Sequence, residues 1–177
     1  MKSNRLQAGF KTLWLCAPVV ISLFLSGCRP AVVILPPHLK TVAVATFGNR
    51  TTNYGLESLL TNQTIRQFQQ DGRLSVVSED SADLLLKAEI RQYNDDVILV
   101  DPTTNRPKQY RLTVVYNLTA IDQVDQRTLF EETNLAQTVL YYTVDFPGAV
   151  SMTEDQAREQ LAQDLGLAIV RRTIEGN

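Results

Sequence analysis

Cysteine is nearly absent from this 177-residue chain, with two copies, and there is one histidine and one tryptophan. Both cysteines, Cys16 and Cys28, fall in the first 28 residues. A disulfide framework, a zinc site and a cysteine nucleophile are therefore excluded from everything that follows them. The single histidine, His38, lies among prolines, where a ring is ordinarily just solvated, and no serine or acid motif surrounds it. Ser-His-Asp chemistry has no footing here. Neither a G-x-G-x-x-G run nor a phosphate-loop motif occurs, which removes the sequence grounds for nucleotide binding. The acid pairs Asp95-Asp96 and Glu131-Glu132 lie in strand-like stretches. Adjacent strand residues point to opposite faces, so neither pair converges on one reaction centre. The chain reads as a non-enzyme without a metal.

A long membrane-spanning run is also missing. Leu13–Leu25 is uncharged and mostly apolar, but shorter than the ~20 residues a spanning helix needs. Lys2, Arg5 and Lys11 precede it and Leu25-Ser26-Gly27-Cys28 follows it. A positive start, a short apolar core and small residues before the cleavage point make a signal peptide. The cysteine at the end matches a bacterial lipobox, so residues 1–27 are expected to be removed. Cys28 is expected to carry a diacylglycerol and an N-acyl chain. Each buried CH₂ contributes roughly 0.8 kcal/mol, and three chains hold stably where one is marginal. Arg29 stands where an aspartate would favour retention at the inner membrane, so the expected address is the outer membrane, at its periplasmic face. The leader takes three of the 17 basic residues and none of the 19 acidic ones. The remaining chain is acidic, a poor composition for nucleic acid.

Residues 28–39 read as a lipidated, proline-rich tether with Pro30, Pro36 and Pro37. Its apolar part, Ala31–Leu35, either continues that extended tether or packs against a partner or against lipid. Residues 40–177 read as one domain. Lys40–Phe47 is a first strand, followed by a turn-rich loop and a helix over 54–70. That helix carries the stripe Leu56, Leu59, Leu60, Ile65 and Phe68, with Asn53 as its N-cap and Gly72 as its left-handed end. Arg73–Ser78 is a short second strand. Residues 83–93 and 110–122 alternate apolar and polar, as antiparallel strands with one wet face do. Between them, Asp101–Lys108 is a polar loop kept out of pairing by its prolines. Thr128–Thr143 is a further strand, bulged near Glu131-Glu132. Phe146-Pro147-Gly148 is a turn. A last helix, 153–173, opens on the capping box Thr153-x-x-Gln156 and buries Ala157, Leu161, Leu165, Ala168 and Ile169. The expected fold is α+β: a two-layer sandwich with two helices on one face of a mixed, mostly antiparallel sheet of four to five strands. Leu60, Phe68, Leu86, Val114 and Leu165 form its core.

Positive residues suggest one binding chemistry. Arg106 and Lys108 sit in the polar loop, and Arg91 and Arg111 on the polar sheet face. Near a glycolipid surface they are candidate phosphate donors. The competing reading is a solvated face laced with cross-strand pairs such as Glu89 with Arg111.

The stretch Lys40–Thr51 (KTVAVATFGNRT) resembles the first strand and loop of the lipopolysaccharide-assembly lipoprotein family, LptE. Gly55-Leu56-Glu57, Leu60-Thr61, Phe68 and Asp71-Gly72-Arg73-Leu74 fit that family's first helix and second strand. Ala82-Asp83-Leu84, Ile90, Tyr93 and Tyr110-Arg111-Leu112 fit its central strands. The resemblance implies two helices on a mixed sheet. It also implies a role as plug and assembly partner of the LptD β-barrel, with lipopolysaccharide bound in transit. The F-x-N-R-T start is shared with other envelope lipoproteins, which keeps an activator of a peptidoglycan synthase as the alternative.

Overall fold

The computed structural model describes residues 35–144 and 150–176. The leader, Cys28, most of the tether and the Phe146-Pro147-Gly148 turn lie outside the described residues.

Among the described residues, six strands and two α-helices build the domain. Strands β1 (Thr41–Val44) and β2 (Gly48–Asn49) precede helix α1 (Leu56–Asp71). Strand β3 (Ser75–Val76) and a 3-10 turn (Glu79–Ser81) lead to β4 (Leu84–Val100), β5 (Pro107–Asp122) and β6 (Arg127–Tyr142), and helix α2 (Glu154–Glu175) ends the fold. The sheet order is β3-β1-β4-β5-β6, with β2 also on β4. The first three strands pair in parallel and β4, β5 and β6 antiparallel. The expected first strand, Lys40–Phe47, forms only over Thr41–Val44, and the expected loop after it contributes the short β2. Ala45 N–H still reaches Leu86 O (2.9 Å) and Arg50 N–H reaches Ile90 O (2.9 Å), so both pieces track β4 across the break.

Both helices cover one face. Leu60, Phe68, Val114 and Leu165 are fully buried and Leu86 is 1% exposed, as the alternation requires. The α1 stripe differs in part: Leu59 and Ile65 are half-buried, while Thr61, Gln63 and Thr64 are buried. For the two threonines the hydroxyls explain this. Thr61 donates to Glu57 O (2.6 Å) and accepts Phe47 N–H (3.0 Å), and Thr64 donates to Leu60 O (2.8 Å). Satisfied inside the helix, they are buried without an unpaired polar group. They also make room for α2. A Cβ on Gly166 would stand 3.1 Å from Thr64 Cα and 3.0 Å from Gln67 Cγ, so the helices touch through that glycine.

The helix ends follow their chemistry with one correction. Gly72 closes α1 at φ 72°, and the Thr153/Gln156 capping box opens α2. Gly55, not Asn53, precedes α1, at φ 83° and with no side-chain cap. Asn53 is engaged otherwise: its carbonyl accepts Asn49 Nδ2 (2.9 Å) and its Oδ1 accepts Arg158 Nη2 (3.4 Å). Glu57 reaches back to Gly55 N–H (3.2 Å) and to Asn49 Nδ2 (2.7 Å).

Two registers shift. Between Ile90 and Gln92 a bulge at Arg91 turns the strand, so Tyr93 pairs with Val114 on the helix side instead of continuing the polar face. In β6 the irregularity falls at Thr133–Asn134, two residues beyond the expected place, with a second at Leu129. Asn134 adopts φ 56°, and its N–H bonds Asn117 Oδ1 (3.0 Å).

Candidate functional site

The long strands outrun the helices, and that extension is the distinctive surface. β4 continues past Tyr93 to Val100 and β5 begins at Pro107, so the polar connection shrinks to six residues. Pro107 pairs with Val100 after all. It can, because a proline at a strand's first residue gives up a donor the ladder does not need there. Along Val97-Ile98-Leu99-Val100 each residue is 40–46% exposed, an apolar strip with no helix above it.

The tip is ordered by Asp101. Its Oδ1 accepts Thr103 N–H (2.7 Å) and Thr104 N–H (2.9 Å), its backbone N–H bonds Arg106 O (2.8 Å), and Lys108 Nζ lies 2.5 Å from Oδ2. The ammonium and these two amides hold the Asp101 carboxyl well below the usual carboxylate range. The four predicted cations therefore separate. Lys108 is neutralised by Asp101, and Arg91 by Glu89 (2.9 Å). Arg106 and Arg111 are exposed and make no ion pair among the described residues. The Glu89–Arg111 pair does not form. Glu89 stands opposite Asn117 and holds Arg50 (2.6 Å) and Arg91, while Arg111 stands between Asp96 and Leu140. The two free cations both follow the apolar strip in sequence, one in the tip loop and one on β5.

A collar marks where the hairpin leaves the helices. The Arg158 guanidinium lies 5.1 Å from the Tyr93 ring centre, and its Nε donates to the Tyr93 oxygen (2.7 Å). Tyr93 in turn donates to Glu154 (2.8 Å), which also pairs with Arg158 (2.8 Å). Burial pushes the Tyr93 hydroxyl up to about 12. Beside it Tyr110 and Tyr141 stack at 5.2 Å, and Tyr141 donates to Asp95 Oδ2 (2.8 Å). Asp95 Oδ1 is buried with no partner. Asp95 and Asp96 do point to opposite faces, and Glu132 turns to the helix layer to pair with Arg172.

The opposite end of the sheet holds the domain's entry point. Leu39 is buried at 5% exposure, so the core begins inside the stretch read as tether. His38 is not merely solvated: its Nε2 lies 2.9 Å from Oδ2 of Asp122, whose side chain is fully enclosed. Asp122 Oδ1 accepts Val124 and Asp125 N–H, both at 3.0 Å, which fastens the β5–β6 turn. These amides and the imidazole keep the Asp122 carboxyl below its ordinary range. His38, Asp122 and Asp125 have potential ligand atoms within 4.8 Å of one another. Arg127 already brings a cation to both carboxylates, at 3.6 and 3.5 Å. Asp83 completes the clamp by accepting Lys40 and Thr41 N–H (2.9 and 3.0 Å). Sequence pattern missed this clamp, because His38 and Asp122 are 84 residues apart. The apolar strip had a signal: alternation stops at Val97.

Comparison with known proteins decides the family. A family model described as lipopolysaccharide-assembly, LptE, matches residues 39–173. The chain belongs to the LptE family. No curated protein matches it by sequence. Among solved structures, the hypothetical protein CT253 from Chlamydia trachomatis superposes with a TM-score of 0.53 at 13% identity, over 76% of this chain and 95% of that one. That likeness supports the fold alone. Lipoprotein GNA1162 from Neisseria meningitidis (TM-score 0.45, 10% identity, 75% and 96% covered) and a minor lipoprotein from Acinetobacter baumannii (0.46, 13%, 76% and 91%) are more distant in shape. The LptE match begins at Leu39, the first buried residue among those described.

Proposed function

We propose that this LptE-family protein is an outer-membrane lipoprotein, acylated on Cys28, that plugs an LptD-type β-barrel and binds lipopolysaccharide in transit through its β4–β5 hairpin. The observation that carries the lipopolysaccharide part is the hairpin tip. Arg106 and Arg111 make no ion pair among the described residues and lie beside an exposed apolar strip, which suits a ligand with phosphates at one end and acyl chains at the other. Lys108 and Arg91 are secondary, because each must first leave an acid. The plug part is supported by size and polarity. Strands of 16 and 17 residues extend about 50 Å at ~3.3 Å per residue, more than the ~30 Å hydrocarbon thickness. The helix-free face, with Asn94, Thr113, Asn117, Thr119 and Thr138, suits a wet lumen.

The test uses the protein extracted from membranes in detergent. An LptD-type barrel is expected to co-purify, and intact mass is expected to show lipid on Cys28. Lipopolysaccharide should bind, more weakly as salt rises because exposed charge pairs are screened. Arg106→Ala with Arg111→Ala should lose most of that binding and keep the barrel. Equal binding by wild type and variant rules out the tip, and absence of a barrel from the wild-type preparation rules out the plug.

A further inference from the structure

The clamp at the base gathers three metal-ligating side chains from distant parts of the chain. His38 precedes β1, Asp122 ends β5, and Asp125 lies in the β5–β6 turn. Asp122 organises them. Its side chain is fully enclosed, and its Oδ1 is filled by the Val124 and Asp125 N–H groups. That leaves Oδ2 for the His38 Nε2, 2.9 Å away. The same turn brings Asp125 Oδ2 to 3.9 Å from that ring nitrogen. One donor atom from each of the three residues lies within 4.8 Å of the others.

Buried charges are paired or coordinate metals. The guanidinium at hand pairs these carboxylates loosely. Arg127 is exposed, and its nitrogens stand 3.6 Å from Asp122 Oδ2 and 3.5 Å from Asp125 Oδ2. Both distances exceed the roughly 2.7–3.2 Å of a formed hydrogen bond. Two carboxylates against one guanidinium also leave the cluster net negative. A smaller, doubly charged cation would satisfy it better.

We propose that His38 Nε2 and one carboxylate oxygen each from Asp122 and Asp125 bind a divalent transition-metal ion of the zinc type, with water completing its shell. Zinc takes imidazole and carboxylate donors at about 2.0–2.2 Å, which sets tetrahedral donors roughly 3.4 Å apart. The separations of 2.9 and 3.9 Å bracket that value. His38 and Asp125 are exposed, so they can turn to close the triangle around a fixed Asp122. The two amide bonds to Asp122 Oδ1 are the outer support that orients a ligating carboxylate. The neutral ring binds through Nε2 with its proton on Nδ1, and Arg127 swings into solvent. An imidazole favours zinc over magnesium or calcium, which take oxygen. The lack of cysteine that spoke against zinc removes thiolate sites only. Bound metal ties the entering chain to the β5–β6 turn, and this tie does not depend on the barrel or lipopolysaccharide readings above.

The test uses the full chain in detergent, untagged so that His38 is its one imidazole, and stripped of metal with EDTA. Calorimetric titration with zinc chloride should show one ion per chain. At a hundredfold excess over Kd the melting temperature should rise by roughly 5–10 °C. Proton NMR should show the signals of the lone imidazole shifting with the first equivalent. His38→Ala and Asp125→Asn should each weaken binding at least about tenfold. Asp125→Asn keeps the backbone bonds of the turn, so its metal-free melting temperature should match that of wild type. Arg127→Ala removes the competing guanidinium and should bind zinc more tightly. Cys16 and Cys28 are common to every variant, so zinc lost with His38 is not theirs. Equal binding by wild type and His38→Ala, an unmoved imidazole signal, weaker binding by Arg127→Ala, or an equal rise in melting temperature with magnesium chloride overturns the proposal.

Discussion

Strand β4 is two different surfaces in one chain segment. From Leu84 to Ile90 every second residue is buried, with Leu84 and Ile90 fully enclosed. From Val97 to Val100 every residue is exposed, though all four are as apolar as those before them. Strand propensity is the same in both halves. What differs is the layer above: α1 and α2 cover the first half and stop at the Tyr93–Arg158 collar. Apolar character alone thus says nothing about burial. The covered half carries stability, and the uncovered half is available for contact.

The largest test of that division is Phe68→Ala. Phe68 is fully buried under the covered half, and its loss should cost about 3–5 kcal/mol, read as a lower urea midpoint at unchanged slope. An unaltered midpoint would put the core elsewhere. Next comes Gly166→Val. The added carbons meet Thr64 Cα and Gln67 Cγ, so the helices must part at a cost of about 1–3 kcal/mol, seen as a lower melting temperature.

Acid should act at the base. Asp83 and Asp122 have folded pKa values below their ordinary 3.8, so their stabilisation is complete above that value. It is lost as pH falls below 3.8 through the lower folded values. Asp122→Asn should flatten that part of the acid unfolding curve while leaving the rest unchanged. The smallest effect belongs to the uncovered half. Val97→Ser with Leu99→Ser should leave stability within about 0.5 kcal/mol per site. A larger loss on thermal melting would mean that the strip is packed rather than free.

Most of the covered half was legible because its residues repeat at the period of their element. The five residues named as core are buried, and the capping box and Gly72 are where local chemistry put them. The misreadings share a cause. The Arg91 bulge reverses the face of everything after it, so Tyr93 moved from the polar side to the helix side. The Glu89–Arg111 pair failed because the β4–β5 register, which alternation does not reveal, sets Glu89 opposite Asn117 and Arg111 opposite Asp96. Asn53 lost its capping role to Arg158, a contact 105 residues away. Of the candidate cations, sequence could name four but not sort them. Only the position of Asp101 and Glu89 in space separates Lys108 and Arg91 from Arg106 and Arg111.

The clamp at the chain's entry has a mechanical consequence. His38, Asp83 and Asp122 fix the chain where it enters the base of the sheet. The hairpin tip lies about 50 Å from that base along the strands, at ~3.3 Å per residue. The domain is a boom fixed at its foot. A 10° swing at the foot would sweep the tip sideways by roughly 9 Å over that length, more than the width of a sugar ring. Asp83 and Asp122, which pin the entering backbone and the β5–β6 turn to the sheet, therefore govern where the distant tip points.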